Sequence, residues 1–247
     1  MAHIVSRISR PRRLVVLQCI IVIAAVIVAT VSSSSSNIAQ ASTCYGEIAC
    51  HYHAIGETGW GSNGVAIDIQ IPTNVFTYDS HDSVAFNAFI VNVEGSLALE
   101  AGTNLGWMDF CQTTIPSFVP YGTKDDGGTL SADCGLYLPP NGNYYWARAF
   151  KVSGRGYSRI ENGSQQYLWQ KDWGNYDPGY ALDETTAEVW QYSSSYPTWA
   201  GSVNMFHGSW LDNNNHWNYW TFTNVGDDCP YHAAWYSPDA WQASSSC

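Results

Sequence analysis

The stretch VAFNAFIVNVEGSLALEAGTNLG, residues 84–106, is rich in apolar and small residues and predicts β-structure. We expect a first strand over 83–93, and residues 97–101 either continue it or pair with it. Period-two alternation in the second segment puts Leu99 on one face and Glu100 on the other. A lone carboxylate on a nearly uncharged strand is costly if it is buried. Glu100 is therefore a candidate functional residue.

Short β-prone runs separated by turn residues fill the rest of the chain, and strong helix signals are absent. The run GVAIDIQI, residues 64–71, alternates with its Val and Ile side chains on one face and is closed by Pro72. Further strands are predicted at 144–152, 157–161, 166–170, 185–192 and 217–224. Many short strands with turn punctuation are typical of an antiparallel β-sandwich of the jelly-roll or concanavalin-like type. We therefore predict an all-β fold.

A second isolated glutamate, Glu188, lies in the predicted strand 185–192. Alternation places it on one face with Thr186, Trp190 and Tyr192, where aromatic neighbours would raise its pKa by excluding water. Two carboxyls with separated pKa values can supply a general acid and a general base to one site. The alternative is that Glu100 and Glu188 are two unrelated surface residues at strand edges.

Residues 1–41 have the pattern of a secretory signal peptide. Four arginines precede an apolar run over 14–31, and Ala39-Gln40-Ala41 forms an A-x-A cleavage site. Cleavage is expected before Ser42, which leaves a single domain over 42–247 in a secreted protein. Because the apolar run has 18 residues, an uncleaved membrane anchor is the alternative.

The mature chain is strongly acidic. Four of the ten Lys and Arg residues lie in the leader, so six remain against 21 Asp and Glu residues, and the net charge is near −15. This balance argues against nucleic acid and against anionic membrane surfaces as partners. The sequence gives no sign of oligomerisation, so we expect a monomer.

Six cysteines follow the leader, and an even number in an exported chain predicts three disulfides. Six cysteines allow 15 pairings. The sequential pairing is favoured, and it joins Cys44–Cys50, Cys111–Cys134 and Cys229–Cys247. A zinc site is the weaker alternative, since CxxC and HxxxH spacings are absent.

Several short motifs resemble the neprosin-type glutamic peptidases, in the same order along the chain. Leu99-Glu100-Ala101-Gly102 resembles the IEAGW segment of that family, and Ala187-Glu188-Val189 resembles its GEIV strand. Residues 64–75 resemble the first strand, and residues 198–202 resemble the TQMGSG turn. The cysteine pairs 111/134 and 229/247 fall where the family has such pairs.

The resemblance implies a β-sandwich related to the eqolisin fold, with a concave cleft. It also implies an endopeptidase that acts on a peptide or protein substrate without a metal or a cofactor. Carried over to this chain, Glu100 and Glu188 would form the catalytic dyad. One carboxylate would take a proton from water, while the other, protonated, would polarise the scissile carbonyl. The expected activity is greatest at acidic pH, with a bell-shaped profile.

The sequence departs from the family at Thr103, where a tryptophan is typical, and Trp107 is the nearest replacement. There is also little room for a propeptide between Ala41 and the domain. Substrate contacts are expected from four aromatic residues, Trp107, Trp190, Tyr192 and Trp199.

Two other functions stay open at this point. A glycoside hydrolase on a similar sandwich would also set two carboxyls across an aromatic cleft. A non-catalytic carbohydrate- or surface-binding sandwich would use the aromatic residues for binding and keep the glutamates as polar contacts.

Overall fold

In a computed structural model, the described residues are 50–60, 62–77, 81–92, 96–106, 111, 118–138, 144–179, 181–191, 195, 197–227 and 231–245. For residues 50–60, 190, 191, 224 and 227 only the backbone is described. The predicted leader, 1–41, lies outside these ranges. Within them, no helix is long and apolar enough to cross a bilayer.

The described part of the chain forms antiparallel β-structure, as the alternation of apolar and polar residues predicts. The strands are β1 Cys50–Trp60, β2 Gly64–Gln70, β3 Val75–Phe76, β4 Ser83–Asn92, β5 Leu97–Gly106, β6 Val119–Asp126, β7 Leu130–Cys134, β8 Tyr144–Val152, β9 Arg155–Asn162, β10 Tyr167–Asn175, β11 Ala181–Gln191, β12 Thr198–Trp199, β13 Ser202–Leu211, β14 Trp217–Tyr219, β15 Asn224–Asp227, β16 His232–Ser237 and β17 Ala240–Ser244.

Two large sheets pack face to face in the described region. The first has the strand order β15-β1-β11-β4-β5-β6-β7, and the second has the order β10-β9-β8-β2-β13-β17-β16, with β14 added beside β13. A small pair, β12 with β3, completes the arrangement. The predicted all-β sandwich is confirmed, and the segment 97–101 proves to pair with its predecessor rather than to continue it.

The core lies between the two sheets and uses the faces that the alternation predicted. On β2, Val65, Ile67 and Ile69 are fully buried, and Leu99 on β5 is fully buried in the same core. Each such side chain contributes about 1.5–3 kcal/mol by leaving water. Because Leu99 faces this core, the alternation sends Glu100 to the outer face of the first sheet.

One strand prediction was wrong. Residues 217–224 do not form a single strand, because β14 ends at Tyr219 and β15 begins at Asn224. Trp220 and Phe222 turn into the core, where they are 8% and 2% exposed. The chain crosses here from β14, which pairs with β13 in the second sheet, to β15, which pairs with β1 in the first, and a crossing interrupts a ladder.

Candidate active site

Three neighbouring strands of the first sheet bring Glu100 and Glu188 to the same outer face. Asn87 on the middle strand, β4, lies opposite Thr186 of β11 and opposite Gly102 of β5. Glu188 is two residues beyond Thr186, and Glu100 is two residues before Gly102, so both share the face of Asn87. The carboxyls therefore flank β4 from either side.

Hydrogen bonds connect the two carboxyls through Asn87 and Thr186. The amide of Asn87 donates from Nδ2 to Glu100 Oε1 over 2.6 Å. At the other end of the amide, Oδ1 accepts a hydrogen bond from the Thr186 hydroxyl. The same hydroxyl lies 2.8 Å from Glu188 Oε1. Asn87 is fully buried and Thr186 is 2% exposed, so these two links of the hydrogen-bonded connection are shielded from water.

Glu100 has two further donors on β6. The hydroxyl of Tyr121 donates to Glu100 Oε1, and that of Thr123 donates to Oε2 over 2.7 Å. Asn87 Nδ2 also lies 2.9 Å from Tyr121 Oη. Both oxygens of Glu100 thus have partners, which fixes the orientation of the carboxyl.

A missing side chain makes room for this cluster. A Cβ atom at Gly102 would lie 2.5 Å from the carbonyl oxygen of Phe86, 2.6 Å from Asn87 Cβ and 2.8 Å from Tyr121 Cε1. Real Cβ atoms do not approach neighbours so closely. Glycine at this position lets Asn87 and Tyr121 meet beside Glu100.

The backbone of Glu100 is held from the other sheet. The hydroxyl of Ser158, on β9, donates to the carbonyl oxygen of Glu100. Trp173 Nε1 in turn donates to Ser158 Oγ over 2.8 Å. Gly122 permits this contact, since a Cβ there would lie 2.5 Å from Ser158 Cβ. Both sheets therefore fix the position of Glu100.

The surroundings raise the pKa of Glu100 to about 7. Removal from water is the largest cause, and the negative charge of Glu188 is the second. The hydrogen bonds from Tyr121, Thr123 and Asn87 act in the opposite direction. Burial also raises the pKa of Tyr121 well above its usual value, so this phenol keeps its proton and stays a donor.

The four aromatic residues predicted to contact substrate lie in different parts of the structure. Trp107 and Tyr192 lie outside the described residues. Trp190 belongs to β11, with its backbone opposite Ser83 of β4. Trp199 is 5% exposed and packs against Tyr231 and Phe86, with both ring centroids 5.5 Å away. The described contacts of Trp199 thus belong to the core.

One of the predicted disulfides lies within the described part of the chain. Cys111 and Cys134 are joined, with their Cα atoms 5.7 Å apart. Cys134 lies opposite Tyr121 in the β6–β7 ladder, so the bridge is anchored beside the carboxyl cluster. Of the other predicted pairs, the side chain of Cys50 is not described, and Cys44, Cys229 and Cys247 lie outside the described residues.

The sequence pointed to the two glutamates and to Thr186, but not to Asn87, Tyr121 or Thr123. Asn87 carried a usable signal, because it is the only amide in the apolar run Ala85–Phe89. A buried amide needs partners, and such a residue on a core strand indicates a polar network. Tyr121 and Thr123 carried no comparable signal, since their approach to Glu100 depends on the register between β5 and β6.

Among the described residues, no group of three or more His, Cys, Asp or Glu side chains is placed to hold a metal ion. The chemistry that the cluster offers is that of two carboxyls of unequal environment. Glu100 has three donors and a raised pKa, and Glu188 contacts a hydroxyl in the same network. Such a pair can move protons in both directions during one reaction.

No family model matches the chain, and no curated protein matches it. Solved structures with a similar fold include scytalido-glutamic peptidase with a peptide-based transition-state analogue. That likeness has a TM-score of 0.54 and 13% identity, and it covers 81% of this chain and 98% of the peptidase. A second structure of scytalido-glutamic peptidase, with a transition-state analogue inhibitor, gives a TM-score of 0.50 and 14% identity over the same shares. At this identity the likeness establishes a common fold.

Proposed function

We propose that this protein is a secreted, neprosin-type glutamic endopeptidase in which Glu100 and Glu188 activate water. The observation that carries the proposal is the hydrogen-bonded connection of these two carboxyls through Asn87 and Thr186 on one sheet face. The fold shared with scytalido-glutamic peptidase supports the same conclusion at a coarser level.

The reaction needs one carboxylate and one carboxylic acid. The carboxylate takes a proton from water as the water oxygen attacks the scissile carbonyl carbon, and the acid gives its proton to the carbonyl oxygen. The resulting gem-diol collapses when the C–N bond breaks. The nitrogen then receives the proton taken from water, and one diol hydroxyl returns its proton to the second glutamate. Each proton is accounted for, and the pair ends as it began.

This mechanism requires the pair to hold one proton. Activity therefore falls on the acidic side, where both carboxyls are protonated, and on the alkaline side, where both are ionised. Because burial and Glu188 raise the pKa of Glu100 to about 7, the pair keeps a proton above the usual range of a glutamate. The optimum is expected at acidic pH.

Substrate contacts are proposed for Trp107, Trp190 and Tyr192, which flank the dyad residues in sequence. Trp199 is left out of this set because its ring is covered by the core. Secretion is proposed from the leader over 1–41, and disulfides are proposed for Cys44–Cys50 and Cys229–Cys247.

Peptide cleavage by the chain purified without its leader tests the proposal. We expect cleavage of a denatured protein substrate at pH 3–5, and loss of at least about a hundredfold in Glu100→Gln and in Glu188→Gln. Asp177→Asn is the control, because that carboxyl is exposed and forms an ion pair with Lys151. Near-UV circular dichroism verifies that each variant is folded.

Three results would contradict the proposal. Cleavage that survives in either glutamine variant would exclude the dyad. Loss of activity with a chelator or a serine-directed reagent would indicate another class of enzyme. Binding or hydrolysis of a polysaccharide without peptide cleavage would favour the carbohydrate-directed alternatives.

A further inference from the structure

The amide of Asn87 gives the connection between the two carboxyls a direction. Its Nδ2 has two protons, and they point to Glu100 Oε1 at 2.6 Å and to Tyr121 Oη at 2.9 Å. Its Oδ1 has none, so the hydroxyl of Thr186 must donate to it. Each hydrogen bond between Glu100, Asn87 and Thr186 therefore has a fixed donor and a fixed acceptor.

Thr186 has a single hydroxyl proton. When that proton is donated to Asn87, the contact of 2.8 Å between Thr186 Oγ1 and Glu188 Oε1 needs a proton from Glu188. If Glu188 were ionised, two oxygen lone pairs would face each other in a partly buried contact. In this orientation the proton of the pair lies on Glu188, and Glu100 is the carboxylate.

Rotation of the amide by 180° reverses each step. Asn87 then donates to Thr186, Thr186 donates to a Glu188 carboxylate, and Glu100 supplies the proton that reaches Asn87 Oδ1. In both orientations the connection is complete with one proton on the pair. When both carboxyls are ionised, one hydrogen bond of the connection has no proton. When both are protonated, the donors around Glu100 contact a neutral acid, which is a weaker acceptor than a carboxylate.

We infer that Asn87 and Thr186 are positioning residues that hold the Glu100–Glu188 pair in its singly protonated state. Neither side chain needs to touch the substrate for this role. The catalytic meaning of the inference rests on the proposed function, because water activation needs that state. The placement of the proton itself is a property of the resting protein.

Other ionisable residues lie on the strands around the pair. Tyr121 on β6 contacts Glu100 directly, and burial keeps this phenol protonated. Glu184 on β11 shares the face of Glu188 and is 9% exposed. On β1, His53 is at the register position opposite Glu188. These groups are unchanged in the variants below, so differences between variants report on the Asn87–Thr186 connection.

The test is a titration of the resting, full mature chain. The side-chain carboxyl ¹³C signals of Glu100 and Glu188, assigned with the two Glu→Gln variants, are followed against pH. Coupled carboxyls titrate in two steps that belong to the pair. We expect Thr186→Val to bring the two steps closer by about one pH unit, because the singly protonated state loses its hydrogen-bonded connection.

Thr186→Ser is the matched control, since it keeps the hydroxyl and is expected to keep the wild-type separation. Asn87→Leu breaks the connection at its other end and should narrow the separation by a similar amount, which covers the case that Thr186→Val does not fold. Wild-type separation in Thr186→Val or Asn87→Leu would overturn the inference. Narrowing in Thr186→Ser equal to that in the valine variant would also overturn it.

Peptide cleavage by the same variants separates this inference from the proposed function. If wild-type protein cleaves and Thr186→Val keeps the full width of the bell-shaped pH profile, the positioning role fails while the peptidase stands. If wild-type protein cleaves nothing but the titration narrows as expected, the positioning role stands and the peptidase fails.

Discussion

Asn87 lies directly opposite Gly102 in the β4–β5 ladder, and its amide reaches past the bare Cα of Gly102 to contact Glu100 and Tyr121. This relationship explains why the segment Glu100-Ala101-Gly102 carries a carboxyl and a glycine at alternate positions. Both positions lie on the outer face. Glu100 places its carboxyl there, and Gly102, which has no side chain, leaves space for Asn87 and Tyr121.

Gly102→Ala should disrupt the carboxyl cluster. The new Cβ would meet the carbonyl oxygen of Phe86 at 2.5 Å, and a backbone atom cannot move aside as a side chain can. We expect a loss of stability of about 1–3 kcal/mol and a larger loss of cleavage. Gly163→Ala is the control, because nothing lies within 4 Å of its added Cβ. Urea unfolding and peptide cleavage measure both effects, and a variant with wild-type activity would contradict the argument.

Tyr121→Phe should raise the pKa of Glu100 further. The phenol's hydrogen bond to Glu100 favours the charged form, so its removal favours the protonated form. The alkaline limb of the pH profile, where the pair loses its proton, should shift upward by about one unit. Tyr219→Phe is the control. Because Tyr219 is 67% exposed, this substitution should leave the pH profile unchanged. A downward shift in Tyr121→Phe would refute this account.

The raised pKa of Glu100 predicts that stability falls as pH rises. The folded Glu100–Glu188 pair holds one proton up to about pH 7, whereas in an unfolded chain a glutamate releases its proton near the ordinary value of 4.5. Stabilisation from this group is thus complete below about pH 4.5 and is lost between there and about pH 7. Glu100→Gln cannot ionise, so its thermal midpoint should vary less with pH across this window.

Asp183 also makes stability depend on pH over the same range, so its effect must be separated from that of Glu100. Burial raises its pKa to about 7, with the same sign of effect on stability. The two contributions are distinguished by measuring the thermal midpoints of the wild type, Glu100→Gln and Asp183→Asn between pH 4.5 and 7. A change in stability of 1 kcal/mol shifts the midpoint by about 2–4 °C. If both variants follow the wild-type curve, neither carboxyl has the environment described.

The fold was predictable because its signals are local. Alternation in residues 64–71 determined which face of β2 packs into the core between the sheets, and Leu99 and Glu100 separated as their period requires. The break after Tyr219 was not predictable, since Trp220 and Phe222 suit a strand as well as a core. Only the neighbouring sheet decides where such side chains turn.

The site was predictable in its glutamates and not in their partners. Glu100 and Glu188 are conspicuous as isolated charges, whereas Asn87 becomes meaningful only when β4 is known to lie between β5 and β11. That strand order is a long-range property, and period-two patterns do not encode which strand is the neighbour. Tyr121 depends on register in the same way.

Removal of the Cys111–Cys134 disulfide should weaken the side of the first sheet that carries Tyr121. The bridge spans 23 positions and ends opposite Tyr121, so it restricts the unfolded chain and anchors β7. We expect the double variant Cys111→Ala/Cys134→Ala to lose about 3 kcal/mol in urea unfolding. Unchanged stability would show that the bridge does not restrain the unfolded chain as proposed.

Trp199→Phe distinguishes a core residue from a substrate contact. The indole of Trp199 stacks on Tyr231, meets Phe86 edge-on and donates from Nε1 to the carbonyl of Ala243 over 3.3 Å. Phenylalanine keeps an aromatic ring but loses that donor and part of the contact area. We therefore expect a loss of stability of about 1–3 kcal/mol with KM for a peptide unchanged. In Trp190→Phe, by contrast, KM should rise, because Trp190 is proposed to contact substrate. If Trp199→Phe raises KM at unchanged stability, the ring serves substrate rather than the core, and the sequence-based expectation for Trp199 is restored.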